Sequence, residues 1–128
     1  MNRQELMQRL SELPFDTGEY WLITGGAMVL YGLREQTGDI DLGCTTRLFE
    51  ALQAQGYSVN TMPDGTRRVA FAEDVELFEN WLQGSVQMLD GVPVVALEGL
   101  IAMKRQIGRE KDLRDIAMIE EYLAKGEQ

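Results

Sequence analysis

No histidine occurs in the 128 residues, and that absence narrows the chemistry more than any residue present. Ser-His-Asp catalysis, Cys-His catalysis and the usual zinc sites all need an imidazole, so carboxylates, lysines and a hard cation are left. Cys44 is the only cysteine, which excludes an intrachain disulfide and a cysteine-rich metal site. Bases are scarce, 12 against 21 acids, for a net charge of −9. Such a surface repels nucleic acid on average and argues against general nucleic-acid binding, although a local basic groove is still allowed. No apolar run is long enough to span a bilayer, and the start Met-Asn-Arg-Gln-Glu-Leu lacks the apolar stretch of a secretory signal. The expectation is a cytoplasmic protein without membrane attachment. Its length and 45% hydrophobic content suit a single domain over 1–128, with a core at about 15–95 and a helical pair at about 96–124.

What is present is concentrated between Trp21 and Leu42. Tyr20 to Ile23 is an aromatic and β-branched run, a strand that stops at Thr24-Gly25-Gly26. Ala27 to Tyr31 then reads as two turns of helix closed by Gly32. After Gly38, Asp39-Ile40-Asp41-Leu42 alternates with period two, so a strand there puts both aspartates on one face and Ile40 with Leu42 on the other. Two carboxylates on one face are costly unless a cation neutralises them. Mg²⁺ suits them, because it takes oxygen ligands at about 2.0–2.1 Å and keeps positions for water and phosphate. Gly25 and Gly26 let a phosphate approach the backbone, and the following helix points free N–H groups at it. The stretch therefore reads as a site for a nucleoside triphosphate with its metal.

The rest of the chain supplies a scaffold. Residues 2–13 form an amphipathic helix with Leu6, Met7, Leu10 and Leu13 on one face and an Asn2–Glu5 capping box. Thr45 or Thr46 caps a helix to about Gln55. Strands follow at Tyr57 to Met62, Arg67 to Ala72 and Val75 to Phe78, then an Asp90-Gly91 hairpin joins Ser85–Leu89 to Val92–Val95. Pro93 suggests that the second arm is an edge. Helices at about Leu97–Ile107 and Glu110–Leu123 finish the chain, the last with Leu113, Ile116, Ile119 and Leu123 as its apolar stripe. The predicted fold is α/β (α+β): a mixed, largely antiparallel sheet of about five strands with helices packed on one face.

Taken in order, Thr24-Gly25-Gly26-Ala27, Arg34, Thr37 and Asp39-Ile40-Asp41 resemble the signature of the nucleotidyltransferase superfamily, the DNA polymerase β-like fold. The Gly-Gly form is similar to small bacterial members near the AbiEii-type toxins and antibiotic nucleotidyltransferases. Lys104, Arg109, Lys111, Asp112 and Asp115 resemble an element found late in the same proteins. The resemblance implies Mg²⁺- or Mn²⁺-dependent transfer of a nucleoside monophosphate from a triphosphate to a hydroxyl of a small molecule, RNA or protein. Asp39 and Asp41 would hold metal, Gly25 and Gly26 would cradle phosphates, and Lys104 and Arg109 would neutralise them. Arg34 either meets a phosphate or is solvated, and Asp112, in the first turn of the last helix, could orient a base.

The resemblance also implies a third acid from a neighbouring strand. Glu76, between the core residues Val75 and Leu77, is the candidate and would join Asp39 and Asp41 as a metal ligand, assisting the metal that activates the acceptor, although aspartate is commoner there. Asp74 has the same parity and is its rival. Gly-Gly in place of Gly-Ser, and glutamate as third acid, leave room for a non-catalytic nucleotide-binding module or a toxin–antitoxin-type regulator. A further reading is an acidic adaptor whose Asp-x-Asp is surface decoration. A small domain lacks room for a separate acceptor-binding domain, so a protein partner or homo-oligomer is expected.

Overall fold

The computed structural model describes residues 1–82 and 84–126. Helix α1, Arg3–Ser11, begins at the capping box read from the sequence: the Asn2 side chain accepts from the Glu5 amide at 2.9 Å and Glu5 accepts from the Asn2 amide at 3.0 Å. Then come β1 (Tyr20–Leu22), α2 (Thr24–Leu30), β2 (Ile40–Cys44), and α3 (Thr46–Ala54) capped by Thr45. Strands β3 (Ser58–Thr61), β4 (Arg67–Ala72), β5 (Val75–Glu79), β6 (Val86–Leu89) and β7 (Val92–Val95) follow, and helices α4 (Leu97–Ile107) and α5 (Glu110–Gly126) end the chain. No helix among the described residues is long and apolar enough to cross a membrane.

The described strands form one sheet in the order β3-β4-β5-β2-β1-β7-β6. Its pairings are antiparallel except β2–β5 and β1–β7. The sheet thus has seven strands rather than about five, because the β6–β7 hairpin docks on β1 through Leu22 and Val94 instead of standing apart. That docking also corrects the reading of Pro93. Strand β7 lies inside the sheet and β6 is the edge. Proline is tolerated because β7 meets β1 in register only at Val94, so few of its N–H groups are required on that side.

One face of the sheet is the core. Leu22, Ile40, Leu42, Cys44, Val69, Val75, Leu77 and Val94 are each 0% exposed. Helix α2 lies against this face, with Gly26 packed on the Leu22 side chain, and α3 does so through Phe49, over whose ring the Arg67 guanidinium sits at 4.7 Å. Burial of Cys44, with the neighbouring charges of Glu79 and Glu19, pushes its thiol up to about 12. Cys44 is therefore a core residue and not a reactive one.

Helix α5 is rotated from the predicted stripe. Leu113 is 54% exposed, while Asp112, Asp115, Ile116 and Ile119 are buried. These positions also recur at helical spacing, so apolar periodicity alone selected the wrong side at the first turn. Two buried carboxylates are accommodated because Lys104 of α4 lies between them.

Candidate functional site

The opposite sheet face carries the polar groups. Asp41 stands in β2 with its backbone opposite Glu76 of β5 in parallel register. It is half-buried, and Oδ2 accepts a hydrogen bond at 2.9 Å from the Thr24 hydroxyl. Thr24 is in left-handed conformation, φ +52°, an uncommon state for a β-branched residue and one found preferentially at functional sites. Burial raises the Asp41 carboxyl above its ordinary range; the Thr24 bond opposes this, and the charges of Glu76 and Asp39 add to it. Asp39 is exposed and lies just before β2 rather than inside it, its carbonyl accepting from the Thr37 hydroxyl at 3.1 Å.

Parity left Asp74 and Glu76 equivalent, and register separates them. Asp74 accepts two bonds from the Arg9 guanidinium of α1, at 2.8 and 3.1 Å, which holds its carboxyl below the ordinary range. Glu76 shares the Asp41 face and stands 3.2 Å from Arg68 Nε in β4.

The cationic wall comes from the α2–β2 loop and the α4–α5 junction. Lys104 is 4% exposed, with Nζ 3.0 Å from Asp115 Oδ2 and 3.8 Å from Asp112 Oδ1. Arg34 reaches the same Asp115 oxygen at 2.8 Å. Arg109 closes on Asp112 through Nε at 2.7 Å and its own amide at 3.2 Å. Burial alone would raise Asp115, but the bonds from Lys104 and Arg34 outweigh it and hold the carboxyl below its ordinary range. Asp112 behaves the same way, with Arg109 as its main donor.

Thr24, Gly25, Asp39, Asp41, Arg34, Lys104, Arg109 and Lys111 border one cleft of about 660 Å³. Gly25 stays small there because a Cβ would come within 2.7 Å of Thr37 Oγ1 and 3.0 Å of an Arg34 nitrogen. Gly26, by contrast, is a packing glycine beneath the cleft: its Cβ would meet Leu22 Cδ1 at 2.8 Å. Gly26, Glu76 and Asp112 are not among the groups lining the cleft. Asp112 is fully buried in ion pairs and offers no carboxylate oxygen to a base.

This fold has known counterparts. No family model and no curated protein sequence matches the chain. Among solved structures it is similar to TM1012 of Thermotoga maritima, a protein assigned as a nucleotidyltransferase, with TM-score 0.55 and 12% identity over 95% of this chain and 90% of that one. The chain has the nucleotidyltransferase fold. It is also similar to the lincosamide antibiotic adenylyltransferase LnuA in its lincomycin-bound form, with TM-score 0.51 and 16% identity over 91% of each chain.

On this nucleotidyltransferase fold, the acidic end of the cleft has the donor chemistry of a hard divalent cation. Asp39 and Asp41 are oxygen donors, and the raised Asp41 carboxyl is what a cation would relieve. Two carboxylates are enough for Mg²⁺, which takes its remaining ligands from water and phosphate. No group of three or more candidate metal-ligating side chains occurs among the described residues, and Glu76 is turned to Arg68. Thr24 belongs to the sequence motif without a role assigned to it there; a hydroxyl directly before the Gly-Gly pair, which the structure places in the first turn of α2, was the available signal. Sequence reasoning missed Phe78, Trp81 and Met62, which also line the cleft and carry no local motif.

Proposed function

We propose that the protein is a Mg²⁺-dependent nucleotidyltransferase that moves a nucleoside monophosphate from a triphosphate to an acceptor hydroxyl. The observation that carries this is Asp41: a half-buried carboxylate with a raised pKa, bonded to a strained threonine, beside Asp39 and facing a basic wall across one cleft. In the reaction the acceptor oxygen forms a bond to the α-phosphorus, the bond from that phosphorus to the β-bridging oxygen breaks, and pyrophosphate leaves. The hydroxyl proton passes to a carboxylate or to solvent. Mg²⁺ held by Asp39 and Asp41 would supply charge neutralisation at the α-phosphate and a lowered acceptor pKa.

The chain's own residues would do the rest. The Thr24 hydroxyl fixes the rotamer of Asp41. Gly25 leaves the cleft wall low for the phosphates, and Arg109 and Lys111 border their path. Lys104 contributes from behind, because its ammonium is already shared by Asp112 and Asp115. Glu76 would assist the acceptor once Arg68 releases it. The Glu76–Arg68 contact also favours a second reading, a module that binds nucleotide without transferring it.

The test is incubation of the protein with each α-labelled nucleoside triphosphate, Mg²⁺ or Mn²⁺, and fractionated cell extract, alongside Asp41→Asn. Transfer of label by the wild type and not by Asp41→Asn supports the first reading. Metal-dependent nucleotide binding without transfer supports the second. Absence of metal-dependent binding overturns both.

A further inference from the structure

Across the cleft face, β-pairing aligns Arg68 of β4, Phe78 of β5, Gly43 of β2 and Trp21 of β1 in a single row. The next row, two residues along the strands and so about 7 Å away, holds Glu76 and Asp41. Gly43 is what makes room in this row for the Trp21 indole. A Cβ there would stand 1.9 Å from the Trp21 indole nitrogen, so the indole occupies the space of the missing side chain. Trp21 then donates its indole N–H to the Trp81 carbonyl at 2.9 Å, which brings Trp81 over the row with its ring 5.2 Å from that of Phe78. Phe78, Trp81 and Met62 border the same cleft as Asp39 and Asp41. The Trp81 indole N–H is buried and has no acceptor among the described residues, a cost that core packing does not require.

Building on the transfer reading above, we propose that this aromatic row seats the acceptor, and that the acceptor is a small hydroxyl-bearing molecule with an apolar face. Phe78 stands two residues along β5 from Glu76, the acid that this reading gives to the acceptor, so the row lies on the transfer side. A polyanionic acceptor is poorly matched: Arg68 is already set against Glu76 and Asn60, and the chain carries net charge −9. Trp21 and Phe78 are buried beneath the half-buried Trp81, so Trp81 and Met62 present most of the row's apolar surface to the cleft, and an indole binds an apolar face by stacking and displacement of water. The cleft volume of about 660 Å³ falls in the range for small-molecule ligands.

Both tryptophans of the chain are in this row or over it, so intrinsic fluorescence reports on it directly. The full-length protein is titrated with phenyl β-glucopyranoside, an aromatic body carrying hydroxyls, and with methyl β-glucopyranoside, the same hydroxyls without that body. Each titration is run with and without Mg²⁺ and a non-transferable ATP analogue, in the wild type and in Trp81→Leu and Met62→Ser. Stacking predicts that the phenyl glycoside responds at about tenfold lower concentration than the methyl one, and that either variant weakens it about tenfold. Nucleotide affinity, measured by calorimetry, should stay within about twofold in both variants if no base contact is lost.

Equal response to the two glycosides, or no response to either, overturns the proposal. Displacement of the phenyl glycoside by the nucleotide, or lost nucleotide affinity in Trp81→Leu, makes the row the seat of the base and also overturns it. If the wild type fails to bind nucleotide at all, the transfer reading falls, while the glycoside comparison still decides whether the row is an apolar seat.

Discussion

Lys104→Met is the most informative single change, because the sequence suggests a phosphate-binding lysine and the structure shows a buried counter-ion. The substitution keeps the aliphatic stem and removes the ammonium from between Asp112 and Asp115, whose side chains are 0% and 9% exposed. Removing one partner of a buried ion pair costs about 3–5 kcal/mol when the other is left uncompensated. Arg34 still holds Asp115 and Arg109 still holds Asp112, so about 2–4 kcal/mol is expected here. For a chain of this size that is a fall in melting temperature of roughly 8–18 °C at pH 7.

The pH dependence carries the mechanism. In the wild type both carboxyls have folded pKa values below the ordinary aspartate range, so their stabilising contribution is present above that range and is lost as pH falls through the lower folded values. In Lys104→Met burial acts with less opposition, the two acids become easier to protonate, and the deficit should shrink as pH falls toward about 4. Scanning calorimetry at several pH values measures both. A variant that melts within about 2 °C of the wild type at pH 7, below the shift expected from even one kcal/mol, would refute the buried-counter-ion account.

Other changes test the remaining assignments. Gly43→Ala drives a methyl into the Trp21 indole, so it should cost about 1–3 kcal/mol and shift the tryptophan emission, as thermal melts and fluorescence would show. Glu76→Gln should abolish transfer while sparing metal-dependent nucleotide binding. Asp74→Asn should leave turnover intact and lose only a partly exposed pair with Arg9, worth at most about 1 kcal/mol; the opposite pattern would mean that register with β2 does not choose the acid. Because Asp41 has a raised folded pKa, its ionised form costs the folded state stability above that pKa, and a bound cation should return it. Stabilisation by Mg²⁺ in thermal melts should therefore grow as pH rises from about 4 to 7, and a pH-independent effect would place the ion elsewhere.

Local chemistry along the chain was enough for much of this architecture. The capping box at Asn2 and Glu5, the Thr45 cap, the bounds of β4, β7 and α4, and the strand that carries Asp41 all follow from residues within one turn or one alternation of each other. The Gly-Gly pair followed by Asp-x-Asp was legible for the same reason, although Gly25 and Gly26 form the first turn of α2 rather than a turn ahead of a helix that starts at Ala27. Tertiary structure decided whatever depends on which distant segment lies alongside. Asp74 and Glu76 have identical parity, and only the pairing of β5 with β2 sets Glu76 beside Asp41. Leu113 and Asp112 are adjacent in sequence, and only the packing of α5, with Ile116 and Ile119 inside and Lys104 set between Asp112 and Asp115, puts the acid in and the leucine out. Gly43 is an ordinary strand glycine until β1 lays Trp21 across it. A residue's side of an element is written in its neighbours, but its partner is set by packing between segments far apart in the chain, whose energies no local pattern records.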